Sequence, residues 1–98
     1  MSTAYSSGTW RAKEGEEEQF VAAWTEFANW MRTMPGAGTA SLTRDLDEPG
    51  RYVSFAPWES AEQMRAWKSN PDFRENMGRV QAHVAQFEPS EWELVVEV

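Results

Sequence analysis

At 98 residues with a formal charge of −7, the chain is of single-domain size, near the limit where one core is marginal, and no basic stripe offers itself to nucleic acid. Six tryptophans, five phenylalanines and two tyrosines, 13% of the chain, are a rich aromatic supply for so small a core. The absence of cysteine excludes a disulfide framework and any thiolate metal site.

The opening segment AYSSGTWRAK carries β-favouring aromatics and threonine and predicts a strand that is over by Gly15. MSTAYSSGTW lacks the basic and apolar regions of a signal peptide, and runs such as FVAAW span about a quarter of a membrane helix. A soluble, cytoplasmic domain over residues 1–98 with no membrane partner is expected. Glu16, Glu17 and Glu18 suit the first turn of a helix, where carboxylates meet the positive end of its dipole. Apolar residues at 20, 24, 27, 31 and 34 mark one helical face, widened by Ala23 and Trp30, and Pro35-Gly36 ends it.

Ala40, Leu42 and Leu46 then alternate with polar residues. After the turn Asp47-Glu48-Pro49-Gly50, a second strand from Tyr52 to Trp58 completes a hairpin. Val53 and Phe55 share one face of it; Tyr52, Ser54, Ala56 and Trp58 share the other. Neither face is plainly polar, which predicts a sheet covered on both sides. Ser60 and Gln63 form a capping box opening a short helix, with Met64 and Trp67 on one side of it. Asn70-Pro71-Asp72 starts a further helix whose stripe Phe73, Met77, Val80, Val84 and Phe87 predicts continuation almost to Pro89. EWELVVEV reads as the last strand. The order predicts an α+β, ferredoxin-like βαββααβ sandwich with its helices on one face, and a second subunit as the simplest cover for the other. A homodimer is expected.

Strong catalytic signatures are missing: no GxSxG, no HExxH, no Walker loop and a single histidine. Gly36-Ala37-Gly38 follows a helix instead of preceding one, so it reads as a helix stop. Asp45, Asp47 and Glu48 miss the spacing of a calcium loop, and His83 is one imidazole where stable sites need several ligands, so no metal is expected. Trp24 and Trp30 belong to the first helix's apolar side, Trp10 and Trp92 to strands. Trp58 closes a strand just before a helix cap, and Trp67 lies about two turns into that helix. A strand end facing a helix is where such an architecture leaves a cleft, and indole brings a flat apolar face with one N–H donor. Core packing and pocket lining are both open to this pair.

The helix GEEEQFVAAWTEF, the turn PGAGTASLTRD and above all SFAPWES followed by AWKSNPDF resemble the antibiotic biosynthesis monooxygenase family, over roughly residues 4 to 98. The resemblance implies a dimeric α+β barrel in one of two branches: cofactor-independent monooxygenases that form quinones, or haem-degrading enzymes. In the quinone-forming branch the strand before WES supplies a tryptophan and, four positions earlier, an asparagine. Here Trp58 matches and Ser54 stands in the asparagine's place. That branch's tyrosine falls at about Met64 and its arginine near Met77, with Arg74 and Arg79 a turn or less away. In the haem branch the helix tryptophan matches Trp67, the axial histidine falls at about Met77 and the first-strand asparagine near Gly8.

What the resemblance most implies is oxidation by O2 of a flat phenolic or anthrone-type molecule to a quinone, without a cofactor. Trp58 and Ser54 would be catalytic, with Trp67, Met64, Phe73 and Met77 as the substrate-binding wall. The small neighbours of Trp58 on its strand face, Ala56 and Ser54, predict space above the sheet, beside which Trp58 would serve as an N–H donor or a ring platform. Haem is not expected, because His83 follows Met77 by six residues, about 600° of helical rotation, and faces elsewhere. Haem binding with degradation and a non-catalytic ligand-binding dimeric module are the alternatives.

Overall fold

The computed structural model describes residues 3–98. Four strands, β1 (Ala4–Ala12), β2 (Ser41–Arg44), β3 (Arg51–Trp58) and β4 (Val84–Glu93), form one antiparallel sheet in the order β2-β3-β1-β4. Helices α1 (Glu17–Met31), α2 (Ala61–Lys68) and α3 (Phe73–Gln81) cover one of its faces, a ferredoxin-like α+β arrangement. Period two in β1 and β3 decides what faces the helices. Ala4, Ser6, Gly8, Trp10 and Ala12 are buried from β1; Tyr52, Ser54, Ala56 and Trp58 are buried from β3. Phe20, Trp24, Phe27, Ala28 and Met31 of α1 close over them, as the helical spacing predicts.

The serine half of the expected capping box of α2 forms: Ser60 Oγ accepts the Gln63 backbone N–H at 3.2 Å. Its hydroxyl donates to Gln63 Oε1 at 3.1 Å, in place of a bond from the Gln63 side chain to the Ser60 backbone N–H. In the β2–β3 loop, Asp45 Oδ1 accepts the backbone N–H groups of Asp47 and Glu48, and Oδ2 accepts from Arg51 at 2.8 Å. These bonds, the backbone donors first and Arg51 after them, hold the Asp45 carboxyl below its ordinary range. The loop acids are thus turn-formers. β2 is shorter than the alternation suggested, and Leu46 is fully exposed.

The C-terminal third differs from expectation. The last helix ends at Gln81, and residues 84–93, read as the helix's continuation and the start of a later strand, are β4. Val84 and Phe87 have helical spacing, but a register shift in the β1–β4 pairing produces the same effect in a strand. Val84 pairs with Ala12 and Phe87 with Trp10, two residues of one face of β1, so the irregularity brings both apolar side chains to the helix side. Pro89 is tolerated because β4 is an edge strand that can lack one N–H donor. Of EWELVVEV only the first three residues belong to the sheet; the Leu94 amide still donates to Thr3 O at 2.8 Å, and Val95, Val96 and Val98 are exposed.

Candidate active site

A cavity of about 220 Å³ lies between sheet and helices. Its floor consists of small core-face residues at the middle of the two central strands, Ser6 and Gly8 of β1 with Ser54 and Ala56 of β3. Register sets these four side by side, Ser6 opposite Ala56 and Gly8 opposite Ser54. Tryptophans close the two ends of the floor: Trp10 beyond Gly8 and Trp58 beyond Ala56. The roof is Trp24, Phe27, Ala28 and Met31 of α1 with Trp67, Phe73 and Met77 of the later helices. Phe87 and Pro89 complete the β4 side.

Gly8 is required by close approach. A Cβ built there would sit 2.8 Å from Phe87 Cε1 and 2.8 Å from Trp10 Nε1. Trp10 and Phe87 themselves stack, with centroids 4.1 Å apart and planes at 25°. Only glycine lets this pair lie down beside the floor.

Both end tryptophans turn their N–H inward along the sheet, on diagonals. Trp10 Nε1 donates to Ser54 Oγ at 2.9 Å, and Trp58 Nε1 donates to Ser6 Oγ at 3.1 Å; both bonds are buried. A serine hydroxyl that accepts an indole hydrogen keeps its own hydrogen. Among the described residues neither hydroxyl donates onward.

The residues singled out from the sequence separate into two groups. Ser54, Trp67, Phe73 and Met77 line the cavity, whereas Trp58 and Met64, each 1% exposed, do not. Trp58 packs against Trp67 from behind, centroids 5.1 Å apart with planes tilted by 30°, in an aromatic cluster with Phe27 and Phe73. The expected N–H of Trp58 facing a ligand is instead bonded to Ser6, because the diagonal serine lies within reach along the strand face. Trp67 Nε1 is buried without a partner. Neither Arg74 nor Arg79 lines the cavity; Arg79 pairs with Glu75 at 2.9 Å on the surface. His83 lies outside the cavity lining and bonds Glu16 at 2.9 Å.

Ser6, Gly8 and Trp10 also line the cavity, although no motif in the sequence marks them. The signal present is only the alternation in AYSSGTW, where every second residue is small until Trp10. At the mouth, Lys68 lines the cavity and contacts Glu91 of β4 at 3.1 Å, with Arg65 at 3.3 Å from the same carboxylate. The hydrogen bond from Lys68, more than its charge, holds the Glu91 carboxyl below the usual range, against the opposing effect of burial. The polar side-chain groups around the cavity are hydroxyls, indole N–H groups, an ammonium and the Gln81 amide; among the described residues no carboxylate or imidazole lines it.

The family model for antibiotic biosynthesis monooxygenases matches residues 5–79, and the chain belongs to that family. The fold is close to that of SnoaB from Streptomyces nogalater, described as a cofactor-independent oxygenase, with TM-score 0.89, 17% identity and coverage of 100% of this chain and 98% of that one. A proposed antibiotic biosynthesis monooxygenase from Bordetella bronchiseptica superposes at TM-score 0.85 with 19% identity, covering 98% of this chain and 100% of its own. One from Chloroflexus aurantiacus gives 0.78 with 23% identity, covering 98% and 96%. At such identities the likeness is one of fold. No curated protein matches the chain in sequence. Among the described residues no helix is long and apolar enough to cross a membrane.

Proposed function

We propose that this chain is a cytoplasmic, homodimeric, cofactor-independent monooxygenase that oxidises a flat phenolic or anthrone-type molecule with O2 to a quinone. The observation that carries this reading is the cavity of about 220 Å³, flat-floored and walled by aromatic rings, in a chain of this family. An apolar cavity of about 150 Å³ already takes a benzene, so there is room here for more than one ring. In the reaction the substrate loses a proton, and the carbanion passes one electron to O2. The radical pair combines to a peroxide, which loses water to leave the new carbonyl. One oxygen of O2 enters the product and the other leaves as water.

Such a reaction asks the protein to position the ring, steady the anion and keep water out. The Ser54 hydroxyl is the donor to the anionic oxygen, and Trp67, Phe73 and Met77 hold the ring. Trp58 and Met64 support that wall from behind. With no carboxylate or imidazole lining the cavity, the substrate has to be acidic enough to ionise largely unaided.

The helix-free face of the sheet supports the dimer. Tyr5, Val53, Phe55 and Trp92 form part of a groove there that is lined without one charged residue, and Trp92 is 58% exposed. A second copy of the chain, face to face, is the proposed cover. Light scattering at micromolar concentration should give twice the chain mass; a monomer would contradict it.

The activity is tested with metal-free protein and a panel of anthrones and hydroquinones, following oxygen uptake and product mass. Uptake of one O2 per quinone formed, faster than without protein, is expected. Uptake at the protein-free rate for every compound would overturn the reading, and ring binding without uptake would make the chain a non-catalytic ligand-binding module.

A further inference from the structure

The geometry points to Ser6 and Ser54 as a pair of hydroxyl anchors that select a ring bearing oxygens on opposite sides, with Trp58 and Trp10 as the positioning residues that fix them. This rests on the cavity being a ring-binding site, and extends it from a shape to a substrate class.

Both serines lie on the cavity floor and both are 8% exposed. They are diagonal neighbours across β1 and β3, since Ser6 faces Ala56 and Ser54 faces Gly8. Diagonal neighbours in such a pair stand roughly 7–8 Å apart, with Gly8 and Ala56 leaving the floor between them low. Each hydroxyl receives an indole hydrogen from a tryptophan two residues beyond its cross-strand partner, at 3.1 Å for Ser6 and 2.9 Å for Ser54. The indole bond restricts the hydroxyl's rotation and uses part of its acceptor capacity, so what remains to offer a ligand is chiefly a hydrogen. Two fixed donors across a flat apolar floor suit a planar ligand with an acceptor oxygen at each side of one ring.

The pairing also fits both ends of the proposed oxidation. In an anthrone the carbonyl and the carbon that is oxidised lie on opposite sides of the central ring. Proton loss from that carbon places negative charge on the carbonyl oxygen, which one hydroxyl holds. The oxygen arriving from O2 at the opposite carbon becomes the second carbonyl, and the other hydroxyl holds it. No further reactant is needed, because the second O2 oxygen leaves as water.

The test compares two probes of one shape, 9,10-anthraquinone with two opposed acceptors and anthracene with none, by quenching of tryptophan fluorescence. The wild type should prefer the quinone. Ser6→Ala and Ser54→Ala should each weaken quinone binding about fivefold to tenfold and leave anthracene within about twofold. Either change strands a buried indole N–H, so the pair Trp10→Phe with Ser54→Ala removes both partners and keeps a folded protein in hand. It should show the same loss of preference. Ser54→Thr, which retains the hydroxyl, should weaken both probes equally through its added methyl and keep their ratio. Trp58→Phe, which frees the Ser6 hydroxyl to rotate, should lower the ratio by a smaller factor. If the serine variants weaken both probes equally, or the wild type binds both without preference, the anchors are refuted while the ring site stands. If neither probe binds the wild type, the ring site itself is wrong and the anchors fall with it.

Discussion

The two faces of the sheet are made by the same strands and treat their aromatics in opposite ways. On the helix side the tryptophans stand at the ends of a floor of serine, glycine and alanine, with their N–H groups bonded to serines of that floor. On the other side Trp92 donates to Ser7 at 2.7 Å yet leaves most of its ring exposed, beside Phe55 at 42% exposure. Large residues at the edges with small ones between leave an internal space. Large residues mixed among serines and threonines on an uncovered face leave an adhesive surface. The same residue type should therefore fail differently on the two faces.

The largest effect is expected for Trp58→Ala, a full-size cavity in the core, at about 3–5 kcal/mol of stability by chemical denaturation. Trp92→Ala should change the stability of an isolated subunit by no more than about 0.5 kcal/mol. It should instead dissociate the proposed dimer, seen by sedimentation equilibrium. Equal destabilisation by the two substitutions, with the oligomer unchanged, would erase the contrast.

Next in size is Gly8→Ala. Its methyl meets Phe87 and Trp10 at 2.8 Å, so one of the rings must move, at about 1–3 kcal/mol. The displaced ring narrows the cavity, and anthraquinone affinity should fall with stability. Ser60→Ala, remote from both faces, removes the cap of α2 and should cost about 1 kcal/mol with ring binding little altered. That variant sharpens the contrast by separating stability from binding.

The smallest effect concerns the clamp from Lys68 and Arg65 to Glu91, which ties the helix layer to the edge strand. The folded Glu91 carboxyl is held below its ordinary 4.5, so its contribution is present above that value and is lost as pH falls through the lowered one. Glu91→Gln should therefore cost up to about 1 kcal/mol at pH 7 and nothing in strong acid. A cost that does not change with pH would show that the charge is irrelevant.

Much of this architecture was legible in the sequence because local and tertiary demands agree there. In β3 the alternation of Tyr52, Ser54, Ala56 and Trp58 is the observed buried face, and in α1 the stripe from Phe20 to Met31 is the observed buried stripe. Val84 and Phe87 misled because an irregularity in strand pairing can mimic helical spacing, and the partner strand that reveals it is some seventy residues away in sequence. The site was half legible. Ser54, Trp67, Phe73 and Met77 do line the cavity, but which indole N–H is free depends on cross-strand diagonals that no single segment displays.

The most direct test of the central claim, that the small-floored cavity is where a ring meets O2, is isotope incorporation from labelled O2 with chelator-treated protein and an anthrone. Ala56→Leu, which fills the floor, serves as the plugged control. The expected result is one labelled oxygen in the quinone, formed faster than without protein, with the rate of the folded plugged variant falling to the protein-free level. Equal rates for wild type and plugged variant, or a quinone formed without label, would contradict it.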